Sequence, residues 1–168
     1  MSWQNDDGVY IRYGLERAAV KDSGVTTKEV LRYLVVDLSV VKGLPTFTAD
    51  LNNNGTNNGF AGDDAYIPAG SYITKATIVV TTAFATSDSA TLDIGLAQLA
   101  GTVIDVDGID DAIAVGALNA ANKVVLCNGA LAGQALGVGA NDAYVYTTQN
   151  TGTFSAGAAK LVIEYITV

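Results

Sequence analysis

The chain has 168 residues, with 9 Lys and Arg against 17 Asp and Glu, a formal charge of −8, no histidine and one cysteine. A domain near this length buries roughly 70% of the surface its unfolded chain exposes, so a real core is available, while the charge repels phosphate backbones and anionic lipid heads and argues against nucleic acid as a partner. The missing histidine removes Ser-His-Asp and Cys-His nucleophile activation and the usual zinc ligands, and a lone cysteine excludes disulfides and thiolate clusters within one chain.

The opening MSWQNDDG is polar and acidic, unlike the basic end and apolar segment of an export signal. Residues 1–42 hold six basic and six acidic groups, so the whole negative excess lies beyond them. Residues 1–28 show no sustained period apart from a short VYIRY patch and are expected to form an extended arm ahead of a domain spanning 29–168. VLRYLVVDLSVV, 30–41, is ambiguous. Thr26 and Glu29 could make a helical capping box, yet β-branched Val and the closing GLP favour a strand with Leu34, Val36, Leu38 and Val40 inward.

DLNNNGTNNGFAGDD, 50–64, has the Asn, Gly and Asp content of a long surface loop. Its Asn54-Gly55-Thr56 sequon is read as a turn. IPAG then turns into a strand from about Ser71 to Ala83, and SATLDIGLAQ alternates Leu92, Ile94 and Leu96 with Asp93, Gly95 and Ala97. In DVDGIDDAIAVGAL the carboxylates Asp105, Asp107, Asp110 and Asp111 precede an apolar run. A helix-loop-helix calcium loop fails here, since Ile109 falls at the fifth position and Asp110 at the sixth, which requires glycine. The segment predicts one short helix near 108–119, N-capped by Asp107, with Ile109, Ile113 and Ala117 on one face.

KVVLCN places Cys127 in an apolar run, as a small buried hydrophobe rather than a reactive thiol. The uncharged stretch between Lys123 and Asp142 is interrupted by Asn128, Gln134 and four glycines, so no membrane span is expected. GVGAND lacks the spacing of a dinucleotide fingerprint and no GxxxxGK occurs, so no cofactor is expected. AYVYTTQ and AKLVIEYITV, joined by NTGTFSAG, read as a long hairpin, and FSAG echoes the earlier IPAG. Short alternating strands divided by Gly and Asn turns predict an all-β fold, a jelly roll or β-sandwich. Asp93 with Glu164 is the carboxylate pair a glycosidase would need, but both fit solvent-facing strand positions; no catalytic, cofactor or metal residue is assigned and no enzyme is expected. Trp3 and the eight tyrosines could stack on sugars, but Tyr144, Tyr146 and Tyr165 fall at strand spacing, which suits packing at interfaces better.

The arm NDDGVYIRYGLERA, the opening IPAGSYITKATIVVTTAF, the block SATLDIGLAQ followed by DVDGIDDAIA, and the closing ANDAYVYTTQNTGTFSAGAAKLVIEYI together resemble the decoration, or cement, proteins of tailed-bacteriophage heads. The resemblance covers most of the chain and rests on a pattern rather than a short motif. It implies a structural virion protein with a jelly-roll body on the capsid exterior, assembled in the host cytoplasm, commonly a homotrimer at local threefold axes, that binds the major capsid protein and stabilises the shell. Aromatics and Arg dominate interface hot spots, which makes Val9, Tyr10, Ile11, Arg12 and Tyr13 the expected capsid contacts. The rival is a head-fibre or adhesin-like module that binds glycan or a host surface through loops 50–64 and 105–111.

Overall fold

The computed structural model describes residues 31–133 and 137–167 in full, and the backbone of 2–4 and 10–12. Two antiparallel four-stranded sheets face each other, as the sequence predicts for a sandwich. The first has the order β3 (Arg32–Ser39), β10 (Phe154–Thr167), β5 (Ser71–Thr86), β8 (Val124–Leu126). The second has the order β4 (Tyr66–Ile67), β9 (Ala143–Asn150), β6 (Thr91–Ala97), β7 (Val103–Ala114). Successive strands therefore alternate between the sheets, except that β6 and β7 pair directly, and so non-local contacts hold the body together. Within the expected arm, β1 (Ser2–Gln4) and β2 (Tyr10–Arg12) pair as a small antiparallel ribbon, with Trp3 opposite Ile11.

Period-two alternation builds the core. On β6 the side chains of Leu92, Ile94 and Leu96 are fully buried, as expected, and meet Ile67 and Val145 from their own sheet and Leu38, Ile78, Leu161 and Ile163 from the other. Each such burial contributes roughly 1.5–3 kcal/mol. The ambiguous 30–41 segment is strand, and Leu34, Val36 and Leu38 alternate inward as predicted, because its even positions reach the core while Tyr33, Val35 and Asp37 point out.

Two expectations are corrected. AYVYTTQ and AKLVIEYITV do not form a hairpin: β9 pairs with β4 and β6, and β10 pairs with β3 and β5, in opposite sheets. The link between them crosses the sandwich, held where Gln149 Oε1 accepts from the Phe154 amide at 2.7 Å and Thr151 takes a φ of 63°. Alternation identifies a strand but is blind to which sheet receives it.

The helix near 108–119 is instead mostly strand β7, and only Val115–Leu118 (α1) is helical. Ala114, not Asp107, is its N-cap, without a side-chain bond. The pairing of β7 with β6 is irregular: it runs from Leu96 opposite Asp105 to Ile94 opposite Asp110 and on to Leu92 opposite Ile113. Extra β7 residues bulge out and lose their ladder partners, and the carboxylates satisfy the freed amides. Asp110 Oδ1 accepts from the Asp111 amide at 3.0 Å, and Asp93 Oδ1 accepts from the Ala112 amide at 2.9 Å, where φ is 50°. A short acid that caps a helix start serves a bulge by the same chemistry.

Candidate docking face

The two sheets differ in what lies over their outer sides. The long β3–β4 connection folds across the second sheet and sets an aromatic row on it. Phe47 stacks on Tyr146 with centroids 5.2 Å apart, Phe60 stacks on Tyr144 at 5.1 Å, and Tyr66 lies against Tyr144 at 5.5 Å. Phe60, Tyr144 and Tyr146 are buried by this cover. Segment 50–64 is thus a surface loop as expected, with Asp50 accepting from the Asn54 and Gly55 amides, but its Phe60 anchors it as a lid.

The outer side of the first sheet carries no such cover among the described residues. The register places Val35, Val162, Thr77 and Leu126 in one row across all four strands. Beside it runs a row of Asp37, Lys160, Val79 and Val124, and on the other side stand Tyr33, Glu164 and Lys75. Exposure is high where these strands are apolar: Tyr33 60%, Val35 54%, Val124 64% and Leu126 64%. Asp37 and Lys160 form an ion pair, and the Lys160 ammonium holds the Asp37 carboxyl below its ordinary value. An apolar belt bordered by charges of both signs has the anatomy of a protein–protein contact, a dry centre within a polar rim.

Charge sorts the same way. The strands of the first sheet carry Arg32, Lys75 and Lys160 against Asp37 and Glu164. Every other acidic residue from position 31 onward lies on the second sheet or in a connection. The belt therefore sits on the least acidic side of an acidic body.

Tyr10, Ile11 and Arg12 form β2, whose side chains lie outside the described set, and Val9 and Tyr13 lie outside the described residues altogether, as does the Thr26–Glu29 segment. The sequence did hold a sign of the belt. In VLRYLVVDLSVV the outward positions 33 and 35 are apolar as well as the inward ones, which is how a strand reads when both of its faces are covered.

The carboxylates do not assemble a reactive pair. Asp93, between the buried Leu92 and Ile94, turns outward on the second sheet and is itself buried, bonded to the Ala112 amide and to Asn150. Glu164 turns outward on the first sheet, between the buried Ile163 and Tyr165. Among the described residues, no group of three or more Asp, Glu, Cys or His side chains is placed to hold a metal ion, and no helix is long and apolar enough to cross a membrane.

Cys127 is buried, as the sequence suggests, and burial pushes its thiol far above the ordinary value, so it stays protonated beside Asp110. Burial also raises the Asp110 carboxyl, more than its bonds from Cys127 and the Asp111 and Asn128 amides lower it. A raised folded-state value means that this group's contribution to stability is complete below the ordinary carboxylate value of about 3.9 and is lost as pH rises through the raised one. Asp110→Asn keeps an oxygen for the Asp111 amide without the charge. Without a titrating group here, it is expected to lose less melting temperature between pH 4 and pH 7 than the native chain in paired thermal melts.

A chain of the cyanophage Pam1 capsid asymmetric unit has a similar fold, with a TM-score of 0.52 at 13% sequence identity, over 94% of this chain and 98% of that one. No protein-family model and no curated protein sequence matches the chain.

Proposed function

We propose that this chain is a structural protein of a phage head, of the decoration class: it binds the major capsid protein on the outside of the shell and braces it, without turnover. The observation that carries this reading is the nearly end-to-end likeness of its fold to a chain of a cyanophage capsid. The bare belt on one side of the sandwich supports it, because a fastener needs a surface that its own core does not use. The order β3-β10-β5-β8 against β4-β9-β6-β7, with successive strands alternating between the sheets, supports reading the sandwich as a jelly roll, in keeping with that class.

In this reading the belt faces the shell and the acidic second sheet faces solvent, where like charge keeps particles apart. The leading segment, through Val9, Tyr10, Ile11, Arg12 and Tyr13, adds a second grip, and the chain works as a homotrimer on the virion exterior after assembly in the host cytoplasm. Co-sedimentation with empty heads tests this. The purified chain pellets saturably with the shells, and a Tyr10→Ala, Arg12→Ala double variant, melting at the native temperature, stays in the supernatant. Native chain that never pellets overturns the reading; a double variant with undiminished occupancy removes the leading segment from it. Glycan capture that disappears when loop 50–64 is altered would instead favour the adhesin-like alternative.

A further inference from the structure

Among the described residues, no strand pairs with the outer edge of β3 in the first sheet. β3 pairs with β10 through an unbroken register from Arg32 opposite Tyr165 to Ser39 opposite Ala158, and its described backbone bonds all go to that strand. The Val40 amide donates to the Gly157 carbonyl at 3.0 Å, in phase with this register, so the even-numbered residues form the hydrogen-bonded pairs. The N–H and C=O groups of Tyr33, Val35 and Asp37 consequently point away from β10 and have no backbone partner among the described residues. The strand contains no proline, no bulge and no lysine, and its charged side chains, Arg32 and Asp37, leave the stretch 33–36 between them uncharged.

Alongside this edge, where the two sheets part, lies a groove of about 490 Å³. Its walls include Val35, Leu44, Pro45, Phe60, Tyr144 and Val145. These apolar walls are rimmed by Asp37, Lys42 and Asp64, and a row of backbone donors and acceptors without described partners beside such a slot fits one shape of ligand, an extended strand. Its main chain continues the ladder and its alternate side chains drop into the slot.

We infer that β3 is an acceptor for an extended apolar segment of the shell protein, which adds as a fifth strand to the first sheet with every second side chain in the groove. This rests on the capsid reading above and names how the partner is gripped. A second copy of β3 does not fit the slot, because its Leu34, Val36 and Leu38 are already committed to that copy's own core.

Residue-resolved hydrogen exchange on the full chain, free and bound to empty heads, tests the inference. The amides of Tyr33, Val35 and Asp37 exchange fast in solution and slow by at least about tenfold on the shells, whereas those of Leu34 and Val36, already paired with β10, are slow in both states. Val35→Pro removes a donor that has no partner among the described residues, so it leaves the melt within a few degrees of native and lowers shell occupancy. Chain that pellets with the heads while the amides of 33, 35 and 37 stay fast overturns the strand acceptor and leaves the capsid reading standing. Chain that does not bind heads at all overturns both.

Discussion

Gly95→Ala is expected to lower the melting temperature by on the order of 10 °C, a loss of about 3 kcal/mol or more at 2–4 °C per kcal/mol for a chain of this size. A Cβ at this position on β6 would lie 2.4 Å from the carbonyl oxygens of both Asp105 and Val106. Both oxygens belong to the backbone of β7, and neither can swing aside as a side-chain tip can. The only relief is to move β7 off the sheet, taking with it the buried Ile109 and Ile113. Circular dichroism melts check the prediction against Gly116→Ala, which meets nothing within 4 Å and is expected to melt at the native temperature or slightly above it. A native-like melt for Gly95→Ala would mean that β7 does not cross here at all.

Placing charge on the belt is expected to cost at least about a hundredfold in shell affinity with little change in stability. Val124→Asp with Leu126→Asp alters two side chains that are each 64% exposed and lie on β8, at the far side of the sheet from the open edge. Surface replacements of this kind usually stay within about 0.5 kcal/mol of native. Burying two carboxylates against a shell without partners costs several kcal/mol, and each 1.4 kcal/mol is tenfold in affinity. Sedimentation isotherms with empty heads, alongside thermal melts, read the two quantities separately. Native-like affinity would show that the belt faces away from the shell. Because β3 lies across the sheet, this outcome is independent of whether β3 accepts a strand.

Much of the body was legible before its structure. The alternation of Leu92, Ile94 and Leu96 fixes which side of β6 is core, and the same period in Leu34, Val36 and Leu38 resolves the helix-or-strand ambiguity of 30–41. The misreadings have definite causes. Ile109 and Ile113 have helical spacing, and the acids before them look like an N-terminal turn; the bulges that use those acids arise only when β7 is laid against β6, a contact between separate segments. The β9–β10 hairpin failed because a short connection can cross a sandwich as easily as it can reverse within one sheet.

The docking face was harder to see, for a physical reason. Its central row draws Val35, Thr77, Leu126 and Val162 from four segments spread along the chain, and no window of sequence contains more than one of them. The open edge is still less visible, since it consists of backbone groups that every residue carries. VYIRY drew attention as a contact because its residues are adjacent, which is the kind of site a linear reading can find.

The uneven placement of acids gives the body an electric moment that runs from the covered sheet toward the bare one. Near a negatively charged surface that moment exerts a torque, turning the bare sheet inward before any atoms touch. Screening at physiological ionic strength confines the effect to roughly the last 8 Å of approach, so added salt slows productive encounters without loosening molecules that have already settled into place.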